Sequence, residues 1–225
     1  MTIKNRLLRA GVRQFGNPTG PAGHVAGWVM SHRRSNVVRN RWAVGLLDIE
    51  GDARVLELGC GPGVALAALA EQAVEGLVVG VDHSPVMIRY AGRRSAAAVA
   101  AGRVRLVCAS VEDLLPVAGD ERGPMEVPAA PFDMPFDAVL AVNNVGFWSE
   151  PEVRLAGVRH LLRPGGLIAV AHQPREPGAT DETSAAKGRE IAAALARAGF
   201  SDVRVESLRL KPAVVCALGM NGSGT

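Results

Sequence analysis

From residue 54 onward, short apolar runs alternate with stretches of helical spacing. Residues 54–58 form an apolar run closed by glycines and read as a first strand. Residues 64–72, rich in Ala and Leu, read as a helix. The strand pattern returns at 77–82 and 104–108, on either side of a helix expected over about 85–101. A fourth strand is expected over 136–142, a helix over 151–162, a turn at 163–166 and a fifth strand over 167–171. Such alternation predicts a parallel sheet covered by helices. The apolar strands fit burial on both faces.

The pattern changes after residue 172. An Ala-rich helix over 183–198 stops at Gly199, and runs at 203–208 and 213–218 follow with only residues 209–212 between them. A link that short cannot cross over, so the two runs pair as an antiparallel hairpin. The sheet is therefore mostly parallel with an antiparallel end. Before residue 54, helical spacing joins Val25, Trp28, Val29 and His32, and then Val38, Trp42, Gly45 and Leu46. Two helices are expected, at about 21–34 and 36–48, with Pro21 suited to a first turn. Residues 116–135 hold five prolines and two glycines and read as a surface loop. The chain divides into a helical cap (1–53), a sheet domain (54–220) and a frayed tail (221–225).

Composition narrows the class. The 225 residues are 48% hydrophobic and 21% charged, which fits one α/β domain and excludes a disordered chain. No apolar run approaches the ~18–20 residues of a membrane-spanning helix. The opening Met1-Thr2-Ile3-Lys4-Asn5-Arg6 lacks the apolar stretch of a signal peptide. Cys60, Cys108 and Cys216 lie far apart without metal-ligand spacing, each in or beside an apolar run. They are expected to be buried free thiols of a cytoplasmic protein, with no metal. The net charge of +3 is uneven: residues 1–47 carry eight Lys/Arg and no Asp/Glu, against 17 and 22 in the remainder. A basic leading segment suits an anionic ligand, an acidic partner or nucleic acid. It equally suits a solvated surface whose arginines pair with the acidic body.

Chemistry is concentrated at two strand ends. Glu57-Leu58-Gly59-Cys60-Gly61-Pro62-Gly63 joins the first strand to its helix. Glycines there admit turn angles closed to other residues and let a ligand approach the backbone. The helix that follows offers free N–H donors. Asp82 ends the second strand, where a carboxylate can accept both hydroxyls of a ribose. It could also cap the next helix, a role for which Ser84-Pro85 competes. A dinucleotide-binding dehydrogenase would place a third glycine where Val64 stands.

Together these segments resemble the class I S-adenosylmethionine-dependent methyltransferases. The resemblance rests on Val55 to Gly63, on Gly80-Val81-Asp82-His83-Ser84-Pro85-Val86-Met87, on Phe136-Asp137-Ala138-Val139 and on Leu161-Leu162-Arg163-Pro164-Gly165-Gly166-Leu167. It spans residues 54–218. It implies a Rossmann-like seven-stranded, mostly parallel sheet of order 3-2-1-4-5-7-6 with strand 7 antiparallel. S-adenosylmethionine is the implied cofactor. By the same resemblance, Gly59, Cys60 and Gly61 would line its methionine and ribose, and Glu57 would bind the amino end from beneath the loop. Asp82 would hold the ribose hydroxyls, and His83 and Met87 would flank the adenine. Ser110 and Val111 occupy the next adenine-contact positions. Ser110 stands where that family often has Asp, and Glu112 or Asp113 are alternatives. The backbone of Asn143 would lie near the amino acid end.

Methyl transfer is an in-line displacement, and much of its rate comes from holding the nucleophile close to the methyl carbon. A hydroxyl or ammonium acceptor also needs a base. His172, just after the fifth strand, is the first candidate, with His24 and Asn144 behind it; each equally suits a packing role. His24, Trp28 and His32 share one helix face that could close the pocket. No Asn-Pro-Pro-Phe/Tyr motif is present, which disfavours methylation of nucleic acid bases. Phe15, Trp28, Trp42, Phe147 and Trp148 are five of only nine aromatics and fall in the cap and the loop after the fourth strand. The expected acceptor is a small, partly apolar molecule bearing carboxylate or phosphate, methylated on O or N. An RNA or protein methyltransferase using the basic segment is the alternative, as is a cofactor-binding subunit without catalysis. No membrane partner is expected, and the oligomeric state is left open.

Overall fold

The computed structural model describes residues 34–115 and 131–222. The expected helix over 21–34, with His24, Trp28 and His32, lies outside these residues, as do Phe15 and most of the 116–135 loop.

The elements run α1 (Arg34–Gly45), β1 (Arg54–Leu58), α2 (Val64–Gln72), β2 (Leu77–Asp82), α3 (Pro85–Arg94), α4 (Ala96–Ala100), β3 (Val104–Cys108) and α5 (Val111–Leu114). They continue with β4 (Phe136–Val142), a 3₁₀ turn (Val145–Phe147), α6 (Pro151–Leu161), β5 (Leu162–His172), α7 (Asp181–Arg197), β6 (Ser201–Leu208) and β7 (Val214–Met220). One seven-stranded sheet has the order β3-β2-β1-β4-β5-β7-β6. β1 to β5 pair in parallel, and β7 is antiparallel to both neighbours.

Because strand side chains alternate between faces, neighbouring residues feed different cores. Leu56, Leu58, Val139, Ile168 and Val170 pack with Leu155, Val158, Ile191 and Leu195 of α6 and α7. Val55, Leu140, Ala169 and Leu218 face the other way, onto α1 and α2 through Ala43, Val44, Leu66 and Leu69. Glu57 shares the parity of Val55, so its carboxylate is carried inward beneath the loop that begins α2.

Several boundaries move. The helix expected over 85–101 divides at Ser95, whose backbone (φ −104°, ψ 23°) leaves helical geometry. The turn at 163–166 is absorbed into β5: between the pairs Phe136–Leu162 and Ala138–Leu167, β5 carries extra residues as a bulge, with Gly165 at φ +77°. The second expected cap helix begins and ends earlier, as α1. Cys60 and Cys216 are buried, and burial pushes the Cys216 thiol up to about 12. Cys108 is a correction: it is exposed, because it ends β3 at an uncovered sheet edge.

Arg154 fastens the site's walls to this frame. It is buried, and it donates to the carbonyls of Ser149 (3.3 Å), Glu112 (3.4 Å) and Leu115 and to Ser149 Oγ (3.2 Å). Arg154→Met keeps the apolar stem but strands those acceptors. It should cost about 2 kcal/mol in urea unfolding, the scale of charge-assisted bonds lost from a buried site.

Candidate functional site

The carboxyl ends of β1, β2 and β4, the start of α5 and one face of α1 enclose a cavity of about 840 Å³. Its floor is the loop 59–63. Gly59, Gly61 and Gly63 have φ of +66°, +52° and +76°, the left-handed region that costs other residues ~1–2 kcal/mol. At Gly59 a Cβ would run into the Asn144 side-chain amide, which would have to shift, and the left-handed φ itself favours glycine. At Gly61 a Cβ would meet nothing within 4 Å.

Asp82 organises the loop. Its Oδ2 accepts from Gly61 N (2.8 Å) and its Oδ1 from Ser84 N (2.9 Å). Ser84, not Asp82, caps α3, with Pro85 in the first turn. Glu57 is 2% exposed, and its Oε2 lacks a hydrogen-bond partner. Burial, then the neighbouring Asp82, raises the Glu57 carboxyl well above its ordinary 4.5, against a backbone hydrogen bond with Leu66. Burial also raises Asp82, opposed by the Ser84 and Gly61 amides. Two buried acids at one point with an unsatisfied oxygen describe a place for a cation carrying N–H donors.

The structure brings Glu57, Gly59, Cys60, Gly61, Asp82, His83, Met87, Ser110 and Val111, with Asn143 and Asn144, to the walls of this one cavity. Ser110 caps α5 in a reciprocal box with Asp113, so Asp113 is engaged there. Glu112 lines the cavity instead, accepting from Ser149 N (3.1 Å). Asn144 donates through its amide nitrogen to the Leu58 carbonyl, tying the loop after β4 to the glycine loop. Trp148 is buried, whereas Phe147 is 63% exposed at the rim.

His172 is placed elsewhere. It lines a smaller recess of about 60 Å³ with Lys187, Glu190 and Ile191 of α7 and with Asn143 and Asn144, which also line the large cavity; His172 itself is not among the residues lining the large cavity. Burial, then Lys187, lowers its pKa from 6.5. His24 lies outside the described residues.

Sequence reading missed four wall residues: Asn36, Arg39 and Asn40 of α1, and Arg175 after β5. A signal existed. Asn36, Arg39 and Asn40 are spaced i, i+3, i+4, a polar stripe on one helix face, and all three are buried.

A methyltransferase-domain family model matches residues 55–166. The methyltransferase YdaC of Bacillus subtilis (strain 168), itself described as uncharacterized, is 30% identical over 197 residues, covering 86% of this chain and 96% of that protein. The chain belongs to the class I S-adenosylmethionine-dependent methyltransferases. A trans-aconitate 2-methyltransferase of Streptomyces avermitilis is 29% identical over 72% of the chain, which spans about half (52%) of that relative. The N-methyltransferase NodS of Bradyrhizobium japonicum, solved with S-adenosyl-L-homocysteine, shares the fold with TM-score 0.64 at 14% identity, covering 96% of this chain and 98% of that one.

In this methyltransferase the residues present fit the cofactor. The unsatisfied Glu57 oxygen suits its ammonium, and the open space over Gly61 suits its ribose and methionine chain. Cofactor affinity should therefore depend on pH. A cationic ligand favours the Glu57 carboxylate, so binding expels the proton that burial retains. Affinity for S-adenosylhomocysteine should rise with pH from 5 to 7, where its α-amino group stays charged, by at most about tenfold per pH unit. Calorimetry should find that slope in the wild type and a shallower profile in Glu57→Gln, where Asp82 alone of the pair remains to titrate. The same sign governs folding: the raised carboxyl contributes stability below 4.5 that is lost as pH rises through its folded value. Among the described residues, no helix is long and apolar enough to cross a membrane.

Proposed function

We propose that this methyltransferase acts on a small-molecule acceptor, on O or N, held between α1 and the loop after β4. The observation that carries this reading is the lining of the large cavity. Its acidic residues Glu57 and Asp82 account for a nucleoside cofactor, and Arg39, Arg175, Phe147 and Trp148 line it as well. About 840 Å³ lies near the upper end of the ~300–1,000 Å³ range of small-ligand pockets, so a second small molecule fits beside the cofactor. The Streptomyces avermitilis relative, named for a small polycarboxylate, supports the same class.

In this reading Glu57 binds the cofactor's amino end and Asp82 the ribose hydroxyls, while His83 and Met87 flank the adenine with Ser110 and Val111. Asn143 closes the amino acid end through its backbone. When bound, S-adenosylmethionine would supply a sulfonium methyl, whose carbon bonds to an acceptor lone pair as its C–S bond breaks, leaving a neutral thioether, with the acceptor's proton passing to water. Asn144 holds the two loops in register, so the acceptor's approach is fixed by packing. Residues 1–33, with His24, lie outside the described residues. Five of the eight basic residues of the leading segment, which an RNA or protein substrate would use, lie there too.

Catalysis then rests on positioning and exclusion of water rather than on His172. His172→Gln should reduce turnover less than about threefold across pH 6–9, against the ~10²–10⁴-fold loss expected for a general base. Transfer of a labelled methyl group to a panel of metabolites tests the function itself. Transfer to RNA or protein in preference to every metabolite would overturn it.

A further inference from the structure

We infer that Asn36, Arg39 and Arg175 form a carboxylate clamp, and that the acceptor is a small carboxylic acid with an apolar body. The inference rests on the acceptor site proposed above and names its chemistry.

Arg39 is 4% exposed on the inner face of α1. It donates to Asn36 Oδ1 through Nη2 and to Gln173 Oε1 (3.2 Å) through Nη1. Arg175, exposed in the segment after β5, donates to the same Asn36 Oδ1 at 2.8 Å. One neutral amide oxygen thus draws two guanidinium groups to one patch of the cavity wall. Arg175 also donates its backbone N–H to Glu176 Oε2 (3.0 Å). A guanidinium presents five N–H donors in a planar fork that matches a carboxylate.

The patch is held rigidly. Gln173 is buried; its N–H donates to Asn143 Oδ1 (2.8 Å) and its side-chain amide to the Pro212 carbonyl (2.8 Å). The Asn143 amide returns a bond to the Gln173 carbonyl (3.1 Å). Arg39 is therefore linked through Gln173 to the residue that follows β4, where the acceptor must meet the methyl group. Phe147 and Trp148 line the same cavity, and the exposed Phe147 ring offers apolar surface for the rest of the molecule.

The test uses the full chain saturated with S-adenosylhomocysteine. Phenylacetate, 3-phenylpropionate and isovalerate are titrated by calorimetry beside their carboxamides, with phenyl phosphate as a separate arm. At least one acid should bind about tenfold or more tighter than its amide, the scale of hydrogen bonds to a charged group. Arg39→Gln and Arg175→Gln should each erase most of that preference and leave S-adenosylhomocysteine affinity within threefold. Arg175 is exposed, so its variant remains informative if Arg39→Gln fails to fold. Equal binding of acids and amides, binding of none of the acids, or a preference that survives Arg175→Gln would overturn the clamp. Tighter binding of phenyl phosphate than of every acid would overturn the carboxylate assignment. Failure of S-adenosylhomocysteine itself to bind the wild type would count against the cofactor site instead.

Discussion

Gly61→Arg should leave the protein folded and abolish cofactor binding. A Cβ at Gly61 points into space with no atom within 4 Å, so the free protein accommodates the side chain. The left-handed φ of +52° costs about 1–2 kcal/mol, which a domain of this size tolerates. The arginine would then lie in the cavity and bring its own cation to Glu57 and Asp82, the acids that the cofactor requires. Affinity for S-adenosylhomocysteine should fall beyond calorimetric detection, more than about a thousandfold by the loss of over 4 kcal/mol. Gly61→Ala separates strain from blockage: it carries the same φ penalty and should lose far less. Unchanged binding in a folded Gly61→Arg protein would remove the cofactor from this loop.

Asp82→Ala should weaken the same ligand by about 3 kcal/mol, more than a hundredfold. Two losses combine. The ribose loses a charged acceptor, and the Gly61 and Ser84 amides lose the carboxylate that fixes the loop. Asp82→Asn separates them, since its amide oxygen still accepts one of these bonds; it should fall between Ala and wild type. Calorimetry gives the three affinities. Equal affinities for Ala and wild type would show that Asp82 only shapes the turn.

The strands were legible because each is an apolar run with its own punctuation, whereas their order came from the resemblance to the methyltransferases. The antiparallel end followed from the short link between β6 and β7. Legibility failed where local pattern and tertiary packing disagree. Residues 163–166 have turn chemistry, yet pairing with β4 holds them in β5 as a bulge. Ser95 divides a helix whose apolar spacing continues across it. The cofactor loop was readable because its glycines follow Glu57 at the end of one strand and Asp82 ends the next. The acceptor wall was not, since Arg39 and Arg175 are brought together by a shared amide across 136 positions. His172 ends a strand at the ligand-binding edge, yet it lines the small recess that Asn143 to Gly146 share with α7 and is not among the residues lining the large cavity.

A crystal structure with S-adenosylhomocysteine bound is the most direct test. The ligand should lie in the cavity floored by residues 59–63, its ribose hydroxyls on Asp82 and its amino group at Glu57. The homocysteine sulfur should face open space walled by Arg39, Arg175 and Phe147. A ligand seated elsewhere, or a sulfur directed into packed protein, would contradict the account.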